Sequence, residues 1–304
     1  DLRCSYCMSE DVEFLPRQDI LSFEEIIRLA QSFALLGVSK IRLTGGEPLM
    51  RKKLPELIAS IKAIEGIEEV VMTTNGTLLT QYAKPLFEAG LSRLNISLDT
   101  LQADRFKTLT RRDRLQAVLD GIAEAKKYPF SGIKLNAVIL RGMNDDEIIP
   151  LVDFAVDNDI DITFIEEMPL GEVGYDRSVT FLSSAAIKSE VEKKYSLESS
   201  SYKTGGPAEY SAVKNKKSKI GFISPHTNNF CSDCNRVRIT AVGRLLLCLG
   251  NENSQDLRTT LRDGCSDDEL SEKLISALKL KPEKHDFDLA EEVKILRFMS
   301  HTGG

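Results

Sequence analysis

The chain has 304 residues, a formal net charge of -6, 42% hydrophobic residues and 28% charged ones. Those proportions suit a globular protein with one large and one smaller unit, and no apolar run is long enough to cross a bilayer. Nothing resembles a signal peptide, so a cytoplasmic location is expected; the acidic balance excludes a global pull on nucleic acid or phosphate, and an anionic substrate needs a local basic pocket.

The predicted elements alternate. Ser22 followed by Glu25 reads as a capping box, with Phe23, Ile26, Ile27, Ala30, Phe33 and Ala34 at helical spacing and Gly37 closing the helix. A strand is expected over Lys40–Leu43, ending in Thr44-Gly45-Gly46-Glu47-Pro48. Helices are expected at 54–64, 82–89, 101–108, 115–127 and 145–156, and strands at 69–73, 93–98, 132–140 and 161–166. Repeated βα units with such connections predict parallel crossovers. A partial (β/α)6 TIM-type barrel follows, with five strands visible and room for one before Asp1. A doubly wound sheet is the rival, but no G-x-G-x-x-G follows a strand. The polar and glycine-bearing turns all follow strand C-terminal ends, where barrel enzymes build their sites.

Beyond residue 167 the rhythm breaks. Residues 199–206 read as a loop, and strands are expected at Lys219–Ile223, 236–240 and 244–248, before a helix over Asp267–Leu278. Residues 1–166 are therefore expected to form the barrel and 167–304 a smaller α+β extension.

Six cysteines fall in two tight groups with Cys265 apart. In a chain of this length the grouping points to metal or redox chemistry over a disulfide framework. Cys4-Ser5-Tyr6-Cys7 alone fits half a zinc site, a redox pair or chance. Cys231, Cys234 and Cys248 form C-x2-C-x13-C, which fits structural zinc as well as iron–sulfur, with Cys265, His226 or an acid as a fourth zinc ligand. If residues 234–238 form a strand, Cys234, Arg236 and Arg238 share one face, suited to a cluster beside a phosphate. Arg42 and Lys134 sit on barrel strands, where a charge is unexpected unless it points into a polar mouth.

Taken in order, Cys4-x-x-Cys7, Gly45-Gly46-Glu47-Pro48, the C-terminal cysteine triplet, the Cys234-x-Arg-x-Arg segment and the Gly303-Gly304 end resemble the radical S-adenosylmethionine (SAM) superfamily. Within it they resemble the GTP 3′,8-cyclases of molybdenum-cofactor synthesis. The resemblance implies two [4Fe-4S] clusters. One is held by Cys4, Cys7 and a cysteine expected before Asp1, and the other by Cys231, Cys234 and Cys248. It places Tyr6, Gly46, Glu47, Ser97 and Met168 around SAM, and Arg42, Thr73, Lys134, Arg236 and Arg238 around GTP. It implies conversion of GTP to (8S)-3′,8-cyclo-7,8-dihydroguanosine 5′-triphosphate, an electron donor, and a downstream cyclic pyranopterin monophosphate synthase; a homodimer is compatible with it. Neither nucleic acid nor a membrane is an expected partner. Thr163 stands where some relatives carry Arg, and Cys265 has no matching role. The rivals are another two-cluster radical SAM enzyme, such as one modifying a peptide, and a zinc-stapled barrel that binds metabolites.

Overall fold

Strands in the first half of the chain are apolar on one face and polar on the other, and that alternation decides what the sheet covers and what it encloses. The computed structural model describes residues 1–5, 15–285, 287 and 295–302. β1 (Lys40–Leu43), β2 (Glu69–Thr74), β3 (Arg93–Ser97), β4 (Gly132–Val138) and β5 (Asp161–Ile165) lie side by side in that order, all parallel. α1 (Phe23–Leu35) precedes β1; α2 (Leu54–Lys62), α3 (Leu79–Glu88), α4 (Ala103–Thr110), α5 (Leu115–Ala125) and α6 (Ile148–Asp157) make the crossovers. The expected capping box is present: Glu25 N–H donates to Ser22 Oγ at 3.2 Å, and Ser22 N–H donates back to Glu25 Oε2 at 2.7 Å.

On the helix-facing side, Met72, Leu94, Ile96, Leu135, Ile162 and Phe164 are fully buried in one continuous core. Each such side chain stabilises by about 1.5–3 kcal/mol. The alternate residues face inward, and strand register sets Thr73 beside Asn95, Asn95 beside Lys134, and Asn136 beside Thr163. A polar interior results.

After β5 come α7 (Arg177–Thr180), α8 (Ser184–Glu192), β6 (Leu197–Ser199), β7 (Glu209–Val213) and β8 (Lys219–Ile223). β8 pairs parallel with β5, and β7 and β6 continue antiparallel, giving the sheet order β1-β2-β3-β4-β5-β8-β7-β6. The sixth parallel strand among the described residues thus comes from the C-terminal half. Ile220 and Phe222 extend the apolar face of β5, and the Phe222 ring stacks 6.3 Å from that of Phe164.

β9 (Arg238–Ile239), β10 (Arg244–Leu246) and β11 (Ser254–Asp256) form a small antiparallel sheet, followed by α9 (Arg258–Arg262) and α10 (Asp267–Leu278). Leu245, Leu257, Leu261, Leu270 and Leu274 pack with Leu29 and Phe33 of α1 in a second core. The strand expected at 236–240 is only two residues long. Cys234 N–H instead turns back to Cys231 O at 3.0 Å, and Lys281 Nζ donates to Arg236 O at 3.0 Å and Leu247 O at 2.7 Å, where the β9–β10 ladder stops. A lysine therefore satisfies carbonyls that the ladder leaves open.

Candidate functional site

All described candidate residues line one cavity of about 3000 Å³ inside the sheet and beneath the C-terminal layer. A site for one small ligand typically has ~300–1,000 Å³, so this cavity has room for a cofactor and a substrate together.

The rim lies at the C-terminal ends of β1 and β2. Gly45 has φ +142, a conformation that favours glycine, and it turns the chain so that Glu47 points back across the sheet. Glu47 accepts from Thr74 Oγ1 and Asn75 N–H, each at 2.7 Å, and from Leu49 N–H at 3.0 Å. Burial pushes its carboxyl above the ordinary range, against the pull of those donors. Glu47 thus ties two strand-end turns together, a structural task that sequence reading did not assign to it. Beside it, Asp1 accepts from Asn75 Nδ2 and Thr77 Oγ1, each at 2.7 Å. Arg3 N–H and Ser5 N–H donate to Thr110 O and Leu109 O, which fixes Cys4 between them at the rim. Gly46, Ser97 and Met168 line the same end, the latter two half-buried. Tyr6, Cys7, Gly303 and Gly304 lie outside the described residues.

The floor is cationic. Arg42 Nη1 donates to Thr73 Oγ1 at 3.1 Å and projects into the open cavity. Lys134 Nζ donates to Tyr210 Oη at 3.0 Å. Burial, with Arg42 and Arg93 nearby, lowers the Lys134 ammonium to about 7 against the pull of Asp161. Burial and the guanidiniums of Arg236 and Arg42 likewise lower Arg238 to about 10. Positive groups from β1, β4 and the C-terminal layer therefore converge and repel one another. Lys40 and Arg93 are different, because both pair with Glu69, at 2.7 and 2.6 Å. Sequence reading missed Lys40, Glu69, Arg93 and Tyr210. A charged residue at the start of each of three adjacent strands was the available signal.

Across the mouth stand the second cysteines. Arg236 Nη2 and Lys281 Nζ lie 3.7 and 3.8 Å from Cys234 Sγ, and His285 N–H donates to Cys231 Sγ at 3.4 Å. Burial pushes the Cys234 thiol up, but the Arg236 N–H and guanidinium and the Lys281 ammonium outweigh it and hold it below the ordinary value. Burial raises Cys248, and Cys231 and Cys234 raise it further, so both sulfurs lie within electrostatic reach of it. Among the described residues no three His, Cys, Asp or Glu side chains converge on the position of one metal ion. Thiolates of a four-iron cube bind different irons and stand wider apart. Three neighbouring cysteines with N–H donors aimed at sulfur fit a cluster. At the rim, Cys4 is half-buried and lines the same cavity.

Comparison with known proteins agrees with this geometry. The family model "Radical SAM superfamily" matches residues 1–155 and "Molybdenum Cofactor Synthesis C" matches 160–287. GTP 3′,8-cyclase 2 of Pseudomonas aeruginosa is 51% identical over 306 aligned residues, spanning 100% of this chain and 92% of its own. The GTP 3′,8-cyclases of Pseudomonas putida and Marinobacter nauticus are 52% and 51% identical, each with 100% of this chain and 92% of its own covered. Among solved structures, SuiB of Streptococcus suis bound to S-adenosylmethionine superposes with a TM-score of 0.61 at 18% identity, over 96% of this chain and 75% of its own, which shows the shared fold. The rhythm of βα units, the rim of Cys4 and Glu47, and the cysteine triplet above a cationic floor all belong to one lineage: the chain is a member of the radical SAM superfamily and, within it, of the GTP 3′,8-cyclase family.

Proposed function

We propose that the chain converts GTP to (8S)-3′,8-cyclo-7,8-dihydroguanosine 5′-triphosphate, the first step of molybdenum-cofactor synthesis. The observation that carries this reading is the joining of a cationic floor and a three-cysteine roof within one cavity whose rim carries Cys4 and Glu47. A bound rim cluster and SAM would supply the radical chemistry by which ribose C3′ loses a hydrogen atom and bonds guanine C8, an electron and a proton then completing the product.

The residues divide that work by position. Cys4 would hold the rim cluster, with Cys7 assigned to it by resemblance. Gly46, Glu47, Ser97 and Met168 line the SAM end, with Tyr6 assigned there by resemblance. Arg42, Thr73, Lys134, Arg236 and Arg238 grip the triphosphate and orient the sugar. Burial and neighbouring positive charge lower Lys134 and Arg238, and a nucleotide's negative charge would offset both effects by favouring their charged forms. Cys231, Cys234 and Cys248 would hold the second cluster at the opposite wall of the cavity, facing the space left for the base. Anchored at phosphates and base, the ribose has little freedom, and ring closure becomes a step within one held molecule. We assign residues 1–166 to the barrel and 167–304 to the extension that supplies both the roof and part of the floor.

An external reductant must feed the rim cluster, and a cyclic pyranopterin monophosphate synthase would consume the product. Among the described residues no helix is long and apolar enough to span a membrane. The test is anaerobic cluster reconstitution with SAM, reductant and GTP, followed by product analysis. Formation of the cyclised nucleotide with 5′-deoxyadenosine is expected. SAM cleavage with GTP returned unchanged, under conditions where a known relative turns over, would overturn the assignment.

A further inference from the structure

The geometry points to Tyr210 as a positioning residue for the substrate's phosphates: from the floor of the barrel its hydroxyl holds the Lys134 ammonium where the anion is met. The inference rests on the GTP reading above and adds a residue from outside the parallel strands. Tyr210 lies on β7 and is 5% exposed. Its Oη accepts from Lys134 Nζ at 3.0 Å and lies 3.3 Å from Thr204 Oγ1. Its ring meets Tyr202 edge-on at 5.0 Å and rests on β8 at Gly221. A Cβ at Gly221 would come within 2.8 Å of both Tyr210 Cε1 and Thr163 Oγ1, so only glycine leaves room for the ring to lie flat there.

The loop before β7 is fastened from the far side of the barrel. Lys40 Nζ donates to Thr204 O, and Arg93 Nη2 donates to the same carbonyl at 3.3 Å. Tyr210 is therefore part of a plug braced against β1, β3 and β8, and it reaches across the interior to β4. A free lysine arm would surrender rotamer freedom at each binding event; one held by Tyr210 has already lost it. Arg42 on β1, Arg93 on β3, Asp161 on β5 and Tyr210 on β7 all face the ammonium. Two of those groups repel it, so an acceptor oxygen favours the charged form that a phosphate needs.

The test is equilibrium binding of GTP to the anaerobically reconstituted holoenzyme, from pH 6 to 9, for wild type, Tyr210→Phe, Lys134→Met and the double variant. Phenylalanine keeps the ring on Gly221 and removes only the hydroxyl. Tyr210→Phe is expected to weaken GTP about tenfold near neutral pH. Affinity should begin to fall at a lower pH than in wild type, because the ammonium loses its acceptor. The phosphate's own ionisation is common to all four proteins and cancels. In the Lys134→Met background the Tyr210 effect should vanish, since it acts through that amine. Wild type binding GTP with unchanged affinity in Tyr210→Phe, or an undiminished Tyr210 effect in the double variant, would overturn the inference. GTP binding to none of the four, wild type included, would instead overturn the substrate reading beneath it. Should Tyr210→Phe not fold, the wild-type and Lys134→Met pH profiles still decide: superimposable profiles would refute a role for the held ammonium.

Discussion

The rim and the floor of one cavity solve opposite problems. At the rim, Glu47 is a half-buried carboxyl group whose oxygens are met by Thr74, Asn75 and Leu49, so this end is internally satisfied. At the floor, Arg42, Lys134 and Arg238 lie near one another, and burial together with the neighbouring guanidiniums lowers all three, Lys134 to about 7 and Arg238 to about 10. A satisfied network holds shape without a ligand, whereas a repelling one is completed by a ligand of the opposite charge. The difference teaches that the rim is built for placement and the floor for attraction.

The comparison extends to the roof, where Lys281 serves sulfur as well as backbone carbonyls and Arg236 reaches the same sulfur. The largest expected effect comes from breaking that wall. Cys234→Ala should halve the iron bound per chain after reconstitution and abolish cyclisation, while SAM cleavage persists; retention of the wild-type iron content would refute the ligand set. Next, Glu47→Ala leaves three donors unmatched at the rim and should cost the cluster-free protein about 3 kcal/mol in urea unfolding. An unchanged midpoint would show that the rim is not the clamp described. Arg238→Ala should weaken GTP by about 2 kcal/mol, or roughly 30-fold, with uncoupled SAM cleavage intact. Equal affinity would remove Arg238 from the phosphate grip.

The smallest effect is the most diagnostic of frustration at the floor. Lys134 has a folded-state pKa of about 7, below its unfolded value, so between the two the unfolded chain binds the extra proton. The lysine's contribution to the stability of the nucleotide-free protein must then rise with pH above 7, while GTP affinity falls over the same range. Lys134→Met should remove the first trend, read as the difference in unfolding midpoint between the two proteins at pH 6.5 and 8.5. A difference that does not change with pH would show that folding does not lower the pKa of this amine.

Much of this was legible in the residues. Strand Lys40–Leu43, helix Asp267–Leu278 and the Ser22 cap follow from periodicity and local hydrogen bonding, which need no distant partner. β8 was legible as a strand but not as a neighbour of β5, because pairing depends on how Ile220 and Phe222 meet a face formed sixty residues earlier. Cysteine spacing announced the roof, and isolated charges on strands announced Arg42 and Lys134. Tyr210 gave no such sign: an aromatic residue in a strand reads as core until the chain places a lysine against it. Lys281 was hidden for a similar reason, as its partners are carbonyls from two other segments.

The central claim is that the floor recognises charge carried by the nucleotide's phosphates. Its most direct test compares GTP with guanosine in equilibrium binding to the reconstituted protein at ~0.15 M salt, where exposed charges are largely screened and buried ones are not. GTP should bind at least about 100-fold more tightly, and Arg238→Ala should narrow that ratio. Guanosine binding as tightly as GTP would contradict the account.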